Sequence, residues 1–338
     1  MELILLILVG TVMVPTLYVA GMHDVANSIA IPVRTRALTP SIATRVAAAF
    51  NAVGVLLALP LGIYLFAWFE FPALAPALTL GVLLSALISV CGWCLFTYFR
   101  GMPTSVTHAL LGAVLGGSLA AVTVENLGVS AALTMPWFAP LLTLLISPLV
   151  AFGVAYLLVF VAVRFAKGED PDEVNRISRT VQSVSVGVTS LGTGLQQGQR
   201  FSFVLLLALT AGGVQEAQNW MPYAYLAFAA LISAGCLTGG WRIGHVLGHR
   251  LVAIDPLRGM VATTATSGLL FIGSIGLALP LSTSLVAASS IIGAGSNQRF
   301  GTVNWRQFIR IFLYWAATPL AAGTATAILT LAMSPLVT

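Results

Sequence analysis

Residues 3–28, LILLILVGTVMVPTLYVAGMHDVANS, decide how this chain must fold. The run up to residue 20 is almost entirely apolar and approaches the roughly 20 residues that a helix needs to cross a bilayer. Four polar side chains follow it directly: His23, Asp24, Asn27 and Ser28. An ionised Asp at mid-membrane costs about 2.5 to 3.5 kcal/mol on insertion scales. Asp24 is therefore a candidate functional residue.

The composition extends this interpretation to the whole chain. Of 338 residues, 58% are hydrophobic and 7% are charged, whereas a soluble domain carries about 25% charged residues. The mean hydropathy is +0.98. The net charge of +5 includes one lysine, Lys167, and does not form the basic stripe of a nucleic-acid-binding protein. The sequence predicts an all-α, multi-pass protein of the cell membrane, with the lipid bilayer as its partner and no nucleic acid.

Two pairs of segments indicate an internal duplication. Gly21-Met-His-Asp24 aligns with Gly194-Leu-Gln-Gln197 at an offset of 173, and Pro103 aligns with Pro280 at an offset of 177. Similar offsets favour a repeat. Two repeats that meet at one site are typical of secondary transporters, and an odd number of crossings in each would make them inverted. The frequent Gly and Pro residues, and Gly21 in particular, predict broken or re-entrant helices.

The expected organisation has three parts. Residues 1–166 form an N-terminal transmembrane repeat, 167–180 a polar connecting loop and 181–338 a C-terminal transmembrane repeat. The loop is placed there because four of the ten acidic residues lie between Lys167 and Arg176.

Two segments rich in hydroxyl groups are candidate anion sites. In Pro103-Thr-Ser-Val-Thr-His108 and Pro280-Leu-Ser-Thr-Ser284, proline suits the first turn of a helix. Free N–H groups at such a turn favour anions. Two helix starts that face each other would bind a tetrahedral oxyanion. The alternative is that these hydroxyls only join membrane helices.

Other polar residues allow two interpretations each. His108 could relay protons or be a structural histidine. Arg200 could balance the charge of an anion or extend to the membrane interface. His245 and His249 have the i, i+4 spacing of a metal pair, but arginines flank them and no third ligand is nearby. We therefore expect no transition metal, no other cofactor and no enzymatic activity.

The motifs resemble those of a known family. Gly21-Met-His-Asp-Val-Ala-Asn-Ser28 resembles the GANDVAN signature of the inorganic phosphate transporter (PiT) family, and Gly101-Met-Pro-Thr-Ser-Val-Thr-His-Ala-Leu-Leu-Gly112 resembles its GLPVSTTHAL segment. Asp255-Pro-Leu-Arg-Gly259 resembles a second-half stretch. The likeness covers most of the chain. It implies an inverted-repeat carrier that takes up inorganic phosphate by symport with Na⁺ or H⁺.

The resemblance also implies roles for individual residues. Asp24 would ligate the coupling cation or carry the proton, with His23 and Gln197 beside it, and His108 is the candidate proton relay. The expected substrate-binding residues are Asn27, Ser28, Ser105, Thr107, Gln196, Arg200, Ser282, Thr283 and Ser284.

The chain departs from the family pattern at several positions. His23 replaces an Asn of the first motif, and Gln197 replaces the Asp of the second motif. Gln196 and Arg200 stand in its Asn and Lys places, and Leu285 replaces a His. One of two expected carboxylates is therefore missing. Two alternatives stay open: a sulfate permease of the same family, since sulfate has no proton that needs an acceptor, and an uncoupled, channel-like member. The oligomeric state, including a homodimer, is also open.

Overall fold

The computed structural model describes residues 1–66, 71–128, 130–133, 138–278, 281–298 and 303–337. Within these ranges every regular element is helical, and Pro280 lies outside them. The α-helices are α1 (Glu2–Arg34), α2 (Pro40–Leu57), α3 (Pro76–Arg100), α4 (Val106–Val124), α5 (Ser130–Leu133), α6 (Phe138–Ala166), α7 (Pro171–Ala211), α8 (Met221–Leu237), α9 (Trp241–His245), α10 (Pro256–Phe271), α11 (Thr283–Ser296) and α12 (Trp305–Val337). Short π-helical turns, Val246–Arg250 and Ile272–Gly276, extend α9 and α10.

Seven helical segments in the described part of the chain are long and apolar enough to cross a membrane. They lie in α1, α2, α3, α4, α6, α8 and α12. The predicted all-α, multi-pass architecture is confirmed. Helix α7 has 41 residues but a polar middle, and it packs against α1, α2 and α10. A helix enclosed by protein needs no apolar surface for lipid.

The predicted break at Gly21 is wrong, because α1 runs through Gly21 without interruption. The glycine instead permits a close helix crossing. A Cβ atom on Gly21 would lie 2.1 Å from the Ile232 carbonyl oxygen of α8, and one on Gly235 would lie 2.0 Å from the Tyr18 carbonyl oxygen of α1. Small residues let membrane helices approach in this way.

The second half repeats this crossing between α7 and α2. A Cβ atom on Gly194 would lie 2.2 Å from the Asn51 carbonyl oxygen, and one on Gly54 would lie 2.1 Å from the Leu191 carbonyl oxygen. Gly194 is the equivalent of Gly21 at the offset of 173. The first helix of each repeat thus packs on the second helix of the other repeat, which supports the duplication.

The predicted loop at 167–180 is mostly helical. Helix α7 begins at Pro171, and the Asp170 side chain caps it by accepting a hydrogen bond from the Asp172 N–H. Asp172, Glu173 and Arg176 lie on its first turns, where the Glu173 carboxylate accepts hydrogen bonds from Arg176. This interaction lowers the pKa of Glu173. The connection between α6 and α7 is therefore restricted to residues 167–170.

Helices α1 and α7 are antiparallel. Gln197 contacts Asp24, whereas Gln182, nearer the start of α7, accepts a hydrogen bond from Thr35 just past the end of α1. Two equivalent helices in this arrangement are related by a pseudo-two-fold axis perpendicular to both. If the helices cross the membrane, that axis lies in the membrane plane and the repeats are inverted. Because Asp24 and Gln197 are equivalent and in contact, the axis passes between them.

Two helical hairpins, α3–α4 and α10–α11, point towards this axis from opposite ends. The Ala75 N–H donates to Glu125 Oε1 at 2.7 Å and ties the open end of the first hairpin. Arg258 donates to the Asn297 carbonyl oxygen and ties the open end of the second. Helix α4 packs on α12 and α11 packs on α6, so the second arm of each hairpin contacts the last long helix of the other repeat.

One end of the molecule carries nearly all the positive charge. The ends of α1, α6 and α9 and the starts of α2, α7, α10 and α12 meet there, as the hydrogen bonds Gln182–Pro256 and Asn304–Leu251 show. We call this end the arginine face. Its basic residues are Arg34, Arg36, Arg45, Arg164, Lys167, Arg176, Arg179, Arg250, Arg258, Arg306 and Arg310. Arg100 and Arg242 lie on the same side of the molecule, beside the tip of the first hairpin, where Arg242 donates to the Phe99 carbonyl oxygen.

The opposite face carries only acidic charges among its described residues: Glu2, Glu125 and Glu216. Of the fifteen basic residues in the chain, Arg299 lies outside the described ranges and Arg200 is buried in the middle. Because Lys and Arg are enriched in cytoplasmic loops, we expect the arginine face to be cytoplasmic.

Cysteine labelling in intact cells tests this orientation. A membrane-impermeant maleimide should label Gln215→Cys on the acidic face directly, and should label Lys167→Cys on the arginine face only after permeabilisation. Both positions are exposed. The wild-type protein, whose cysteines are buried or half-buried, measures background labelling. The reverse pattern would show that the orientation is inverted.

Substitution of the crossing glycines tests the packing. Gly54→Ala should lower the free energy of unfolding by about 1 to 3 kcal/mol, the usual cost of overpacking, although alanine favours a helix by about 1 kcal/mol over glycine. Gly10→Ala on α1 is the matched control, because its Cβ meets nothing within 4 Å. Thermal midpoints in detergent report the difference, and equal midpoints for both variants would contradict the crossing.

Candidate functional site

The candidate site lies about two-thirds of the way along α1, nearer its C-terminal end. Asp24 is ten residues from Arg34, which corresponds to about 15 Å along a helix and to about half the 30 Å hydrocarbon core of a bilayer. Its side chain is buried, with 2% of the residue exposed. The pseudo-two-fold axis passes beside it.

One carboxylate oxygen of Asp24 accepts a hydrogen bond, and the other, which we call open, has no hydrogen-bond partner among the described residues. Its Oδ2 accepts a 2.9 Å hydrogen bond from Gln197 Nε2, which also lies 3.4 Å from the Ala20 carbonyl oxygen. Its Oδ1 lies 3.6 Å from His23 Nδ1 and has no hydrogen-bond partner in the described part of the structure. The three residues predicted to handle the cation, His23, Asp24 and Gln197, are therefore brought together.

His23 attaches the first hairpin to α1. Its Nε2 lies 3.3 Å from Thr97 Oγ1 and 3.2 Å from Thr104 Oγ1, and the two hydroxyl oxygens are 2.9 Å apart. Neither threonine is among the site residues predicted from the sequence. Thr104 lies inside the quoted hydroxyl motif and could have been chosen, whereas Thr97 belongs to the preceding apolar helix and carries no separate signal.

Helices α1 and α7, which we call the signature helices, each contact the hydroxyl-rich segment of the other repeat. Asn27 Nδ2 donates to Ser284 Oγ at 2.9 Å and lies 3.5 Å from Thr283 Oγ1. Arg200 Nη2 donates to Thr107 Oγ1 at 2.7 Å. Arg200 is the equivalent of Asn27, and Ser284 is the equivalent of Thr107, at the two offsets found in the sequence. The same contact is thus made twice across the axis.

The two hydroxyl motifs begin helices. Ser105 Oγ accepts a 3.2 Å hydrogen bond from the His108 N–H and caps α4, and Ser282 Oγ accepts a 3.3 Å hydrogen bond from the Leu285 N–H and caps α11. Serine is a preferred N-cap residue. The hydroxyl hydrogens stay able to donate to a ligand. Helix α4 begins at Val106, so its start is three residues later than the proline suggested.

At the candidate site, the buried polar atoms without a hydrogen-bond partner in the described ranges include two chemical groups. Oxygen atoms are left on Asp24, Asn27, Ser28 and Gln197. Guanidinium N–H groups, Nε and Nη1, are left on Arg200. Unpaired buried polar atoms are costly, and a cation could bind the oxygens while an anion could bind the N–H groups.

The other candidate residues named from the sequence make none of these contacts across the axis among the contacts described above. Gln196 is buried on α7. His108 has a buried Nδ1 without a hydrogen-bond partner in the described ranges, and it lines an apolar cavity of about 370 Å³ between α4 and α12. The proton relay through His108 stays a prediction. His245 and His249 stack at 5.0 Å beside Arg242 and Arg250 on the arginine face. No group of three potential metal ligands occurs among the described residues.

The helical architecture and the buried polar site are typical of a membrane transporter. A family model described as the phosphate transporter family matches residues 20–326. A Bacillus subtilis (strain 168) protein named probable low-affinity inorganic phosphate transporter is 30% identical over 325 residues, which cover 92% of each chain. A Rhizobium meliloti (strain 1021) protein of the same name is 30% identical over 326 residues, or 95% of each chain.

A solved structure named the sodium-dependent phosphate transporter has the same fold. Its TM-score is 0.72 at 17% identity, and the match covers 98% of this chain and 99% of that chain. The chain belongs to the phosphate transporter family, as its motifs indicated. The predicted site residues and the homodimer are not tested by these similarities.

Removing one of the two equivalent contacts tests the site. Thr107→Val keeps the shape of the side chain but leaves the buried Arg200 guanidinium without its hydroxyl acceptor. We expect a loss of about 1 to 3 kcal/mol in the free energy of unfolding, the usual cost of an orphaned buried group. Ser118→Ala on the same helix is the control, because the buried Ser118 Oγ has no partner among the described residues. Equal thermal shifts would contradict the role of Thr107.

Proposed function

We propose that this protein takes up inorganic phosphate across the cell membrane by symport with Na⁺ or H⁺. The observation that carries the proposal is the pairing of a buried carboxylate, Asp24, with a buried guanidinium, Arg200, near one pseudo-two-fold axis. Intramembrane ionisable residues are costly and mark ion and substrate pathways. The names of the relatives and of the solved structure support phosphate as the substrate.

Arg200 and the two helix starts supply the anion site. A guanidinium presents N–H groups in a planar fork that suits phosphate oxygens, and Nε and Nη1 of Arg200 are available for this. The first turns of α4 and α11, capped by Ser105 and Ser282, add N–H groups that favour anions. Thr107 and Ser284 add hydroxyls at equivalent positions. Phosphate has P–OH groups that need acceptors, and a hydroxyl oxygen, which has two lone pairs, can accept them.

Asp24 supplies the cation site. Its open Oδ1 and the oxygens of Asn27, Ser28 and Gln197 form an oxygen-rich set that suits Na⁺, while protonation of Asp24 would achieve the same neutralisation with H⁺. The solved structure with the same fold is named a sodium-dependent phosphate transporter, and this supports Na⁺. In either case the downhill entry of the cation drives uptake of the anion.

The two repeats give a simple route for alternating access. A site at the axis between inverted repeats can face either side when one repeat rocks against the other. The hairpin tips contact α1 at His23 and Asn27, so a movement of either hairpin changes the site. Entry from the acidic face and release at the arginine face correspond to uptake into the cytoplasm.

Sulfate is the second candidate substrate. Gln197 stands at the position equivalent to Asp24, so the site has one carboxylate where the symmetry allows two. Sulfate carries no proton at neutral pH and needs fewer acceptors than phosphate does. An uncoupled anion channel is the remaining alternative. A channel would not accumulate the anion against its own gradient.

Uptake by the purified protein in liposomes tests these proposals. Radiolabelled phosphate should accumulate above its external concentration when a Na⁺ or a pH gradient is imposed, and each gradient is applied separately. Asp24→Asn should reduce this coupled uptake by roughly 100-fold, because a buried charge interaction is worth several kcal/mol. Glu216→Gln, at an exposed position, is the control and should leave uptake unchanged.

Three outcomes would overturn the proposal. Accumulation of sulfate in preference to phosphate would reassign the substrate. Flux that only follows the gradient of the anion itself would indicate a channel. Normal coupled uptake by a correctly folded Asp24→Asn variant would remove Asp24 from the cation site.

A further inference from the structure

The pseudo-two-fold axis allows the charges of the two repeats to be compared position by position. Asp24 in the first repeat corresponds to Gln197 in the second, and Asn27 corresponds to Arg200. The first repeat therefore places one negative charge and one amide at the axis. The second places one amide and one positive charge there. Equivalent positions thus differ in charge, although the helices and their contacts are repeated.

Gln197 holds two oxygens that could otherwise ligate a cation. Its Nε2 lies 2.9 Å from Asp24 Oδ2 and 3.4 Å from the Ala20 carbonyl oxygen. Carboxylate and carbonyl oxygens are the ligands that hard cations prefer. The amide N–H group donates to them without a net charge. One oxygen of Asp24 is therefore left for a mobile cation, and Gln197 adds no second carboxylate.

Arg200 supplies a permanent positive charge. A guanidinium is not deprotonated in proteins, and 2% of Arg200 is exposed. Its Nη2 is bound to Thr107, while Nε and Nη1 have no partner among the described residues. An anion at these N–H groups has one of its negative charges neutralised by the protein itself. A second mobile cation would be close to this fixed charge and would be repelled by it.

We propose that this transporter moves one cation with one monoanion, dihydrogen phosphate. This inference rests on the proposed function. The Gln197 amide and the Arg200 guanidinium take the place of a second mobile cation. With one monovalent cation at Asp24 and one monoanion at Arg200, the two buried charges of the protein and the two of the ligands cancel. A dianion would leave one negative charge uncompensated in the membrane interior, which is costly.

The transport cycle is then electroneutral, and this gives two measurable consequences. In liposomes with the membrane potential held at zero, a tenfold cation gradient should support about tenfold accumulation of the monoanion, whereas two cations would support about hundredfold accumulation. The accumulation should not change when a potassium diffusion potential of either sign is imposed with valinomycin. In the pH-gradient experiment, the ratio of internal to external concentration is calculated for dihydrogen phosphate alone, because the two sides differ in the protonation of phosphate.

Two substitutions at the axis extend the test. Gln197→Asp adds a second carboxylate and removes the amide from Asp24 Oδ2 and the Ala20 carbonyl oxygen. The initial rate of phosphate uptake should then depend on the second power of the cation concentration instead of the first. Gln197→Ala is the matched control, because it removes the amide without adding charge, and its dependence should stay first order.

Substitution of Arg200 separates its charge from its packing. Arg200→Gln should raise the KM for phosphate at least about tenfold, since a hydrogen bond to a charged group contributes roughly 1.5 to 3 kcal/mol, while the apparent affinity for the cation should not fall. Arg200→Lys should recover much of the phosphate affinity. Loss of both affinities in Arg200→Gln without recovery in Arg200→Lys would show a structural role and contradict the proposal.

The wild-type protein alone decides the stoichiometry, even if a variant fails to fold. About tenfold accumulation that is independent of membrane potential supports one cation and one monoanion. About hundredfold accumulation, or accumulation that follows the membrane potential, overturns this inference while leaving phosphate symport intact. The absence of phosphate accumulation under every cation gradient would instead overturn the proposed function.

Discussion

The burial of an ionisable group, Asp24, inside a membrane helix is the constraint on which the structure depends. An isolated carboxylate there would be costly, and the fold reduces this cost by enclosing α1 between α3, α7 and α8. Helix α7, which donates a hydrogen bond to Asp24, is polar in its middle for the same reason. It faces other helices and has little need of apolar surface. The site therefore determines which helices can contact lipid.

Close packing of backbones makes this enclosure possible. Gly21 and Gly194 are equivalent residues, and each meets a backbone carbonyl of the other repeat. Since lipid tails give little hydrophobic force for helix association, membrane helices depend on close contact and on hydrogen bonds between helices. The glycine crossings supply the first and the paired contacts Asn27–Ser284 and Arg200–Thr107 supply the second. Both are made twice, and both hold the signature helices at the axis.

The sequence was sufficient for the architecture and for choosing most residues of the candidate site, whose roles stay predictions, but not for local backbone geometry. The apolar runs and the matching offsets predicted a duplicated helical membrane protein, because hydropathy and repeat spacing are properties of the chain. Gly21 was misinterpreted because glycine serves equally for a turn and for a close contact, and its partner Ile232 is distant in sequence. The charged residues after Pro171 suggest a loop, since exposed helical turns have the same composition. Thr97 gained its role only through contact with His23.

The proposed function relates the difference between the repeats to the charge of the cargo. A duplication that preserved an acidic residue at both Asp24 and Gln197 would place two negative charges near the position where an anion must bind. An amide at Gln197 removes one of them, and an arginine three residues later adds a positive charge on the same helix face. The helix contacts need only the shared glycines and hydroxyls, so the charges can diverge without loss of the fold. In the proposed scheme, symmetry thus builds the pocket, and the departure from symmetry gives it one place for a cation and another for an anion.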